Sequence, residues 1–280
     1  MHYENQTVLI TGGSSGIGLA TARLLAAHGA HIWLMARRRE ALEAARTEVE
    51  ACRKNPAQLV DIISADVADA EQVSAGVNRV NEISGTPHLV MNSAGITYSG
   101  YFQDIDLQNF RRLMEVNYFG TVHVIKSVLP GMLQRGSGHI VNISSLAGHI
   151  GVYGYTAYGA SKFALSGFTD ALRSELKPLG IRVSLVIPPD TDTPQLEYDK
   201  QIRPPELSIL WFGDIPQVSA DTVARSIVAG VARNRYLIIP GLENRLLFRL
   251  SQLLGSFTYT ILDWLVVRAK REIQRKNGHV

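Results

Sequence analysis

The strongest constraint in this sequence is a set of short apolar runs: Val8–Thr11, His31–Ala36, Leu59–Ser64, Leu89–Asn92, His139–Ile143 and Val183–Ile187. They hardly alternate apolar with polar residues, which is the pattern of strands buried on both faces. Between them lie longer segments with helical periodicity: Ile17–His28, Arg39–Cys52, Ala70–Ser84, Leu107–Gln134 and Tyr158–Leu179. Strands separated by helices predict a parallel sheet with helices on both sides. Right-handed crossovers make it a doubly wound α/β fold. Tyr236–Ile239 reads as a last strand after a helix over Asp221–Arg233. The 280 residues, 46% hydrophobic and 19% charged, supply the core of a single such domain.

Charge and composition narrow the function classes. A formal net charge of +3 argues against a general polyanion binder, so no nucleic-acid partner is expected. The basic residues do cluster, at Arg37–Arg39 and at Arg268–Lys276. Cys52 is the only cysteine. An intrachain disulfide is therefore impossible, a reducing compartment fits, and Cys52 reads as an ordinary helix residue. His28, His31, His139 and His149 have no metal-ligand company nearby in sequence, so no metal site is expected. The chain enters an apolar strand almost at once, which predicts neither a leader nor a leading membrane anchor and a cytoplasmic location.

After the first strand comes Thr11-Gly12-Gly13-Ser14-Ser15-Gly16-Ile17-Gly18, which opens the first helix. Glycines let the backbone turn sharply and approach a phosphate. The helix N-terminus then offers free N–H groups and partial positive charge to an anion. Gly12, Ser14, Ser15, Gly16, Ile17 and Gly18 are thus the expected phosphate-binding residues. Tyr158 and Lys162 are four apart and share one helix face. Reducing a ketone needs a proton on oxygen, and a tyrosine of ordinary pKa ~10 exchanges protons poorly at neutral pH. A nearby ammonium is expected to lower that pKa and make Tyr158 a usable acid–base group.

These motifs resemble the short-chain dehydrogenase/reductase family over roughly residues 5–240. The spacing of Gly12, Gly16 and Gly18 carries the resemblance. So do Asp66-Val67 ending the third strand, Asn92-Ser93-Ala94-Gly95 ending the fourth, Asn117 in the long helix, Ser144-Ser145, and Tyr158-Gly159-Ala160-Ser161-Lys162. Ser93 departs from the family's usual second Asn. The resemblance implies a Rossmann-like, dinucleotide-binding oxidoreductase. It implies that Asp66 and Val67 contact adenine and that Asn92, Ala94 and Gly95 line the cofactor site. It gives Lys162 a second role, holding the nicotinamide ribose beside Tyr158. Ser145, thirteen positions before Tyr158, would hydrogen-bond the substrate oxygen, with Ser144 the neighbour open to confusion. Asn117 would hold a water in a proton relay, against the plainer reading of a helix-kinking polar residue. The threonine that meets the nicotinamide carboxamide is by position Thr193.

The end of the second strand selects the cofactor. An acidic residue there would favour NAD through the ribose 2′-OH. Met35-Ala36 is instead followed by Arg37-Arg38-Arg39, and a guanidinium suits a 2′-phosphate. NADPH is therefore expected, with Arg37 first, Arg38 second and Ser14 adding a hydroxyl, while Arg39 reads as a solvated helix start.

Pro188–Ser219 contains six prolines, lacks a clear period, and reads as the substrate loop. Its start, Pro-Pro-Asp-Thr-Asp-Thr-Pro, resembles the 3-ketodihydrosphingosine (3-dehydrosphinganine) reductases, as does Gly154-Tyr155-Thr156-Ala157-Tyr158. The implied reaction is reduction of a long-chain amino ketone to dihydrosphingosine. Asp190 or Asp192 could meet the amine, and turn-forming or capping roles are equally open. The alternatives are a short-chain reductase acting on a 3-oxoacyl thioester or steroid-like ketone, and a catalytically inactive NADPH-binding interaction protein. The family also implies a homo-oligomer paired through the helices after the fourth and fifth strands.

The chain thus divides into a catalytic domain, 1–241, and a tail, 242–280. In the tail Leu246, Leu250, Leu253, Phe257, Ile261 and Trp264 are among apolar residues at helical spacing. Arg249, Gln252 and Asp263 spoil a simple span of ~20 apolar residues. One amphipathic helix over Leu242–Gln274, lying in a membrane interface, is expected. Packing against the domain or a partner subunit is the alternative.

Overall fold

The computed structural model describes residues 3–210 and 217–277. The chain runs β1 (Thr7–Thr11), α1 (Gly16–Ala27), β2 (His31–Ala36), α2 (Arg39–Ala51), β3 (Val60–Ser64), α3 (Ala70–Ser84) and β4 (Leu89–Asn92). It continues through α4 (Leu107–Met114), α5 (Gly120–Arg135), β5 (Gly138–Ile143), α6 (Thr156–Leu176) and β6 (Ile181–Val186). A short ladder of β7 (Thr191–Asp192) and β8 (Val218–Ser219) encloses α7 (Pro194–Ile202). The chain then forms α8 (Ala220–Ala232), β9 (Leu237–Ile238), α9 (Leu242–Leu254) and α10 (Phe257–Asn277).

The main sheet has seven parallel strands in the order β3-β2-β1-β4-β5-β6-β9. Successive strand residues feed two different cores, which is why the strands show no polar alternation. Val8, Ile10, Ile32 and Leu34 pack with Leu25 of α1, Leu42 of α2 and Val223 of α8. Leu9, Trp33 and Met35 face the other side, with Val77 of α3, Val128 of α5 and Leu176 of α6. Each such aliphatic side chain, fully buried, contributes roughly 1.5–3 kcal/mol. Strand order reverses between β1 and β4, so a crevice opens where Thr11 pairs with both Met35 and Asn92.

Three elements differ from expectation. The helix expected over Leu107–Gln134 is interrupted by a π turn at Glu115–Phe119. Side-chain bonds from Asn117 to the neighbouring loop and to α6 hold the widened turn. The segment Pro188–Ser219 is not structureless: Thr193 caps α7 by accepting from the Leu196 amide at 3.3 Å, with Pro194 at the first helical position. A 3-10 turn follows at Pro205–Ser208, while residues 211–216 of this loop lie outside the described residues. The single tail helix is two helices, because Gly255 takes φ +52° after α9. The axes of Leu242–Leu254 and Phe257–Arg275 bend by 116°. No single helix among the described residues is long and apolar enough to cross a membrane.

The tail is partly docked. Phe248 packs on Leu185, Ile187 and Ile239 beyond the sheet, and Asn244 donates to the Ile187 carbonyl at 2.9 Å. Leu265, Val266 and Ala269 of α10 pack on Leu207, Ile209 and Leu210 of the lid segment and on Val152 and Tyr155. The opposite faces are open: Leu253 is 84% exposed and Trp264 60%.

Candidate active site

One cleft of about 400 Å³ lies over the carboxyl ends of the strands. Its nucleotide end is lined by Gly12, Ser14, Ser15, Gly16 and Ile17, by Arg37 and Arg38, by Asp66 and Val67, and by Ala94 and Gly95. Its other end is lined by Ser145, Tyr158, Lys162 and the lid from Pro188 to Leu207. Thr193 bridges the two, since a Cβ placed on Gly16 would lie 2.9 Å from its methyl.

At the nucleotide end, Gly12 has φ +65°, and a Cβ there would come within 2.7 Å of the Ser93 carbonyl and the Ala94 amide. Only a glycine lets the loop after β1 lie against the end of β4. Ser15 leaves its side chain out of the α1 cap, and the first turn of α1 holds no acid. That helix end keeps its positive character toward the cleft. Gly18 lies beneath the loop against the Gly12 carbonyl and does not line the cleft. Arg39 pairs with Glu43, whereas Arg37 and Arg38 form no ion pair among the described residues. Two exposed guanidiniums without partners, a phosphate-sized loop and a helix N-terminus in one cleft fit a dinucleotide carrying an extra phosphate. Arg112 holds Asp66 at 2.7 Å. Burial pushes the Asp66 carboxyl up, but the Arg112 hydrogen bond, the Ala68 amide and the Arg37 charge leave it below the usual range.

The catalytic end is assembled from the end of β5 and from α6. Lys162, only 5% exposed, donates to the Ile143 carbonyl at 3.0 Å. Its ammonium is 5.8 Å from the centre of the Tyr158 ring. Ser144 turns away, bonding Ser166 at 2.8 Å. Ser145 is the serine that reaches the phenol, and its hydrogen bond draws the phenol pKa down. That influence is outweighed. Burial, aided by the charges of Asp190 and Asp199, pushes Tyr158 up to about 12. The expectation that the phenol's pKa ends up lowered is therefore corrected: burial outweighs the influences that favour the phenolate. The same dry pocket lowers Lys162 itself to about 8, because burial disfavours its charge too.

Two expected site residues stand behind the cleft. Asn92 is buried and donates to Asn142 at 2.9 Å. Asn117 accepts from the Ile96 amide at 2.8 Å and donates to the Ile96 carbonyl at 3.0 Å and to Ser161 at 2.9 Å. Its amide thereby braces the β4 loop against α6, beside Gly95 and Lys162. Sequence reasoning missed a network on the lid. Asp199, 3% exposed, accepts from Tyr155 at 2.5 Å, from Arg203 at 2.6 Å and from Thr97 at 3.3 Å. The i,i+4 spacing of Asp199 and Arg203 is the one local signal of this network. No group of three or more potential metal ligands exists among the described residues.

A family model described as short chain dehydrogenase matches residues 6–203, and the chain belongs to this family of oxidoreductases. It is 43% identical over 204 residues to a 3-dehydrosphinganine reductase of Danio rerio, covering 72% of this chain and 61% of that protein. It is 33% identical over 298 residues to a 3-ketodihydrosphingosine reductase of Mus musculus, covering 97% and 90%. Among solved structures, levodione reductase superposes with a TM-score of 0.78 at 30% identity, over 85% of this chain and 96% of that one. A short-chain dehydrogenase from Sphingobium yanoikuyae in complex with NADPH superposes with a TM-score of 0.75 at 28% identity, over 92% and 95%.

The close approach at Gly12 yields a prediction independent of substrate. Gly12→Ala strains the backbone and pushes the β4 loop away, so dinucleotide affinity falls at least about tenfold, a loss of 1.4 kcal/mol or more. Calorimetric titration of the purified protein with NADPH and NADH checks it. Unchanged affinity for both would remove this loop from the binding site.

Proposed function

We propose that this chain reduces the ketone of a long-chain amino ketone, 3-ketodihydrosphingosine, to dihydrosphingosine with NADPH. The observation that carries the reading is the single cleft with Arg37 and Arg38 at one end and the Ser145–Tyr158–Lys162 group under a lid at the other. The names of the relatives supply the substrate. Bound NADPH would supply hydride. Arg37 and Arg38 would hold its 2′-phosphate, the loop from Gly12 to Ile17 its diphosphate, and Thr193 and Lys162 its nicotinamide end.

The chain's own part is the proton. With a pKa of about 12, Tyr158 is a neutral phenol at every physiological pH and carries the proton that a ketone oxygen must receive. Ser145 orients that oxygen beside the phenol. Lys162 stabilises the phenolate left behind. The lid residues Pro188–Leu207 keep water out. Asn117 keeps α6 and the β4 loop in register and acts as a positioning residue.

The tail completes the reading. Leu242, Leu246, Leu250, Leu253, Phe257 and Trp264 are exposed on α9 and α10, with Arg249, Arg268 and Arg271 exposed among them. Such faces suit an interface of acyl chains and anionic headgroups, from which a lipid ketone would be drawn. This reading places the protein at the cytoplasmic face of a membrane, with exposed Phe119 and Phe163 available for pairing two copies.

Turnover of 3-ketodihydrosphingosine against a 3-oxoacyl thioester tests the substrate, and preference for the thioester overturns it. In the same assay Tyr158→Phe lowers kcat roughly 10²–10⁴-fold, the usual worth of a positioned acid, while NADPH binding stays near normal. Retained activity would remove Tyr158 from the chemistry. The pH profile follows from Lys162, whose lowered pKa means that charge is lost as pH rises through about 8. The kcat for reduction is expected to fall above that pH, and a profile flat to pH 11 would detach Lys162 from the step. Arg37→Asp shifts the NADPH/NADH ratio of kcat/KM toward NADH by at least about tenfold, as expected for a charge-assisted hydrogen bond of roughly 1.5–3 kcal/mol. An unchanged ratio moves the role to Arg38. Finally, the protein sediments with anionic liposomes, and Leu253→Glu with Trp264→Glu releases it. Full-length protein left in the supernatant overturns the interfacial role.

A further inference from the structure

Three carboxylates line the cleft: Asp66, Asp190 and Asp199. Two of them are committed. Asp66 holds Arg112 at 2.7 Å and accepts from the Ala68 amide at 3.0 Å. Asp199 is saturated by Tyr155, Arg203 and Thr97. Asp190 has no side-chain hydrogen bond or ion pair among the described residues. Only its backbone is engaged, the carbonyl accepting from the Val218 amide at 3.0 Å.

Its position is fixed rather than loose. Pro188 and Pro189 restrict the chain before it. The β7–β8 ladder pins Thr191 to Val218 after it, and the Thr191 hydroxyl donates to the Pro189 carbonyl at 2.8 Å. The cleft wall therefore presents a preorganised carboxylate on the catalytic side, near enough for its charge to raise the Tyr158 phenol. The surrounding protein also pushes the Asp190 carboxyl above its ordinary range, against the pull of Arg203.

For a site that handles only a neutral ketone, this arrangement is costly. Asp190 is exposed to the open cleft, so a ligand that fills the cleft strips water from a partnerless carboxylate, and that carboxylate opposes the negative charge that develops on Tyr158. Both penalties are offset if the ligand brings a cation. We propose that Asp190 is the recognition group for a cationic amine carried on the carbon beside the substrate's ketone. An ammonium so placed would form a charge-assisted hydrogen bond, ~2.7–2.9 Å, to the carboxylate at the cleft wall. It screens Asp190 from the phenolate and fixes which face of the ketone meets Tyr158. Asp192, the other acid of this segment, sits on β7 and does not line the cleft. The amine subsite rests on the amino-ketone reading above, and it is tested by binding so that the two can fail separately.

Calorimetry with the full chain in NADP⁺ compares a short-chain amino alcohol, the reduced form of the amino ketone, with the same alcohol lacking the amine. Wild-type protein is expected to prefer the amine at least tenfold. Asp190→Asn abolishes the preference, Asp190→Lys reverses it, and Asp192→Asn leaves it in place. Equal binding of the two alcohols by wild type, a preference that survives Asp190→Asn, or equal loss in Asp192→Asn would each overturn the assignment. Absence of ketone turnover, by contrast, counts against the proposed reaction and leaves this binding result standing.

Discussion

A lysine ammonium held at 5% exposure against a single carbonyl is expensive to keep, and the catalytic end of the sheet is organised around keeping it. The Ile143 carbonyl that receives it is the last residue of β5, paired in register with Val186 of β6. The wall opposite is Gly95, where a Cβ would lie 3.5 Å from the ammonium and 3.2 Å from the Asn117 amide oxygen. Asn117 then binds both sides of the pocket, the β4 loop through Ile96 and α6 through Ser161. The π turn that interrupts the α4–α5 stretch makes this geometry possible, because a regular helix would rotate Asn117 away from both partners. Tyr158, one turn before Lys162, is carried along into the same dry space. Its high pKa and the lysine's low one share one cause.

Much of this was legible in the sequence because it depends on local pattern. Doubly buried strands announce themselves by continuous Val, Ile and Leu, so the strands near Thr7, His31, Leu89 and Gly138 fall within a residue or two of expectation. The Gly12 loop and the Tyr158/Lys162 spacing are likewise short-range signals. What stayed hidden depends on long-range partners. Within Glu115–Phe119 only Asn117, readable as a helix-kinking polar residue, hints at the widened turn, whose cause lies in Ile96 and Ser161, far away in sequence. The helix at Pro194–Ile202 is masked by flanking prolines, although Thr193-Pro194 is a good helix start. The pKa of Tyr158 could not be read from spacing, because spacing places a cation nearby and says nothing about the water excluded from both groups.

The lid has a similar logic. Its inner side meets the cleft through Asp199 and Arg203, which pair with each other, and Tyr155 from the body of the domain donates a hydrogen bond to Asp199. A second contact joins Glu206 to Tyr101 at 2.8 Å. Both carboxylates are nearly buried, so separating lid from body would take each away from the tyrosine hydroxyl that donates to it. The closed arrangement is thus held by polar contacts at its margin and by apolar packing of Leu207 and Leu210 at its centre.

That packing brings in the tail. Ala269, Leu265 and Val266 of α10 rest on the lid, while Ile261, Trp264 and Val267 of the same helix look outward. One helix therefore has a face on the cover of the cleft and a face on its surroundings. Thermodynamic reciprocity applies to any such element. Whatever adsorbs on the outer face more tightly in one lid position must tighten ligand binding in that position by the same factor. Conversely, a ligand that closes the lid must change the protein's affinity for that surface. A lid that shifted on binding ligand would thus be felt at the outer face of α10.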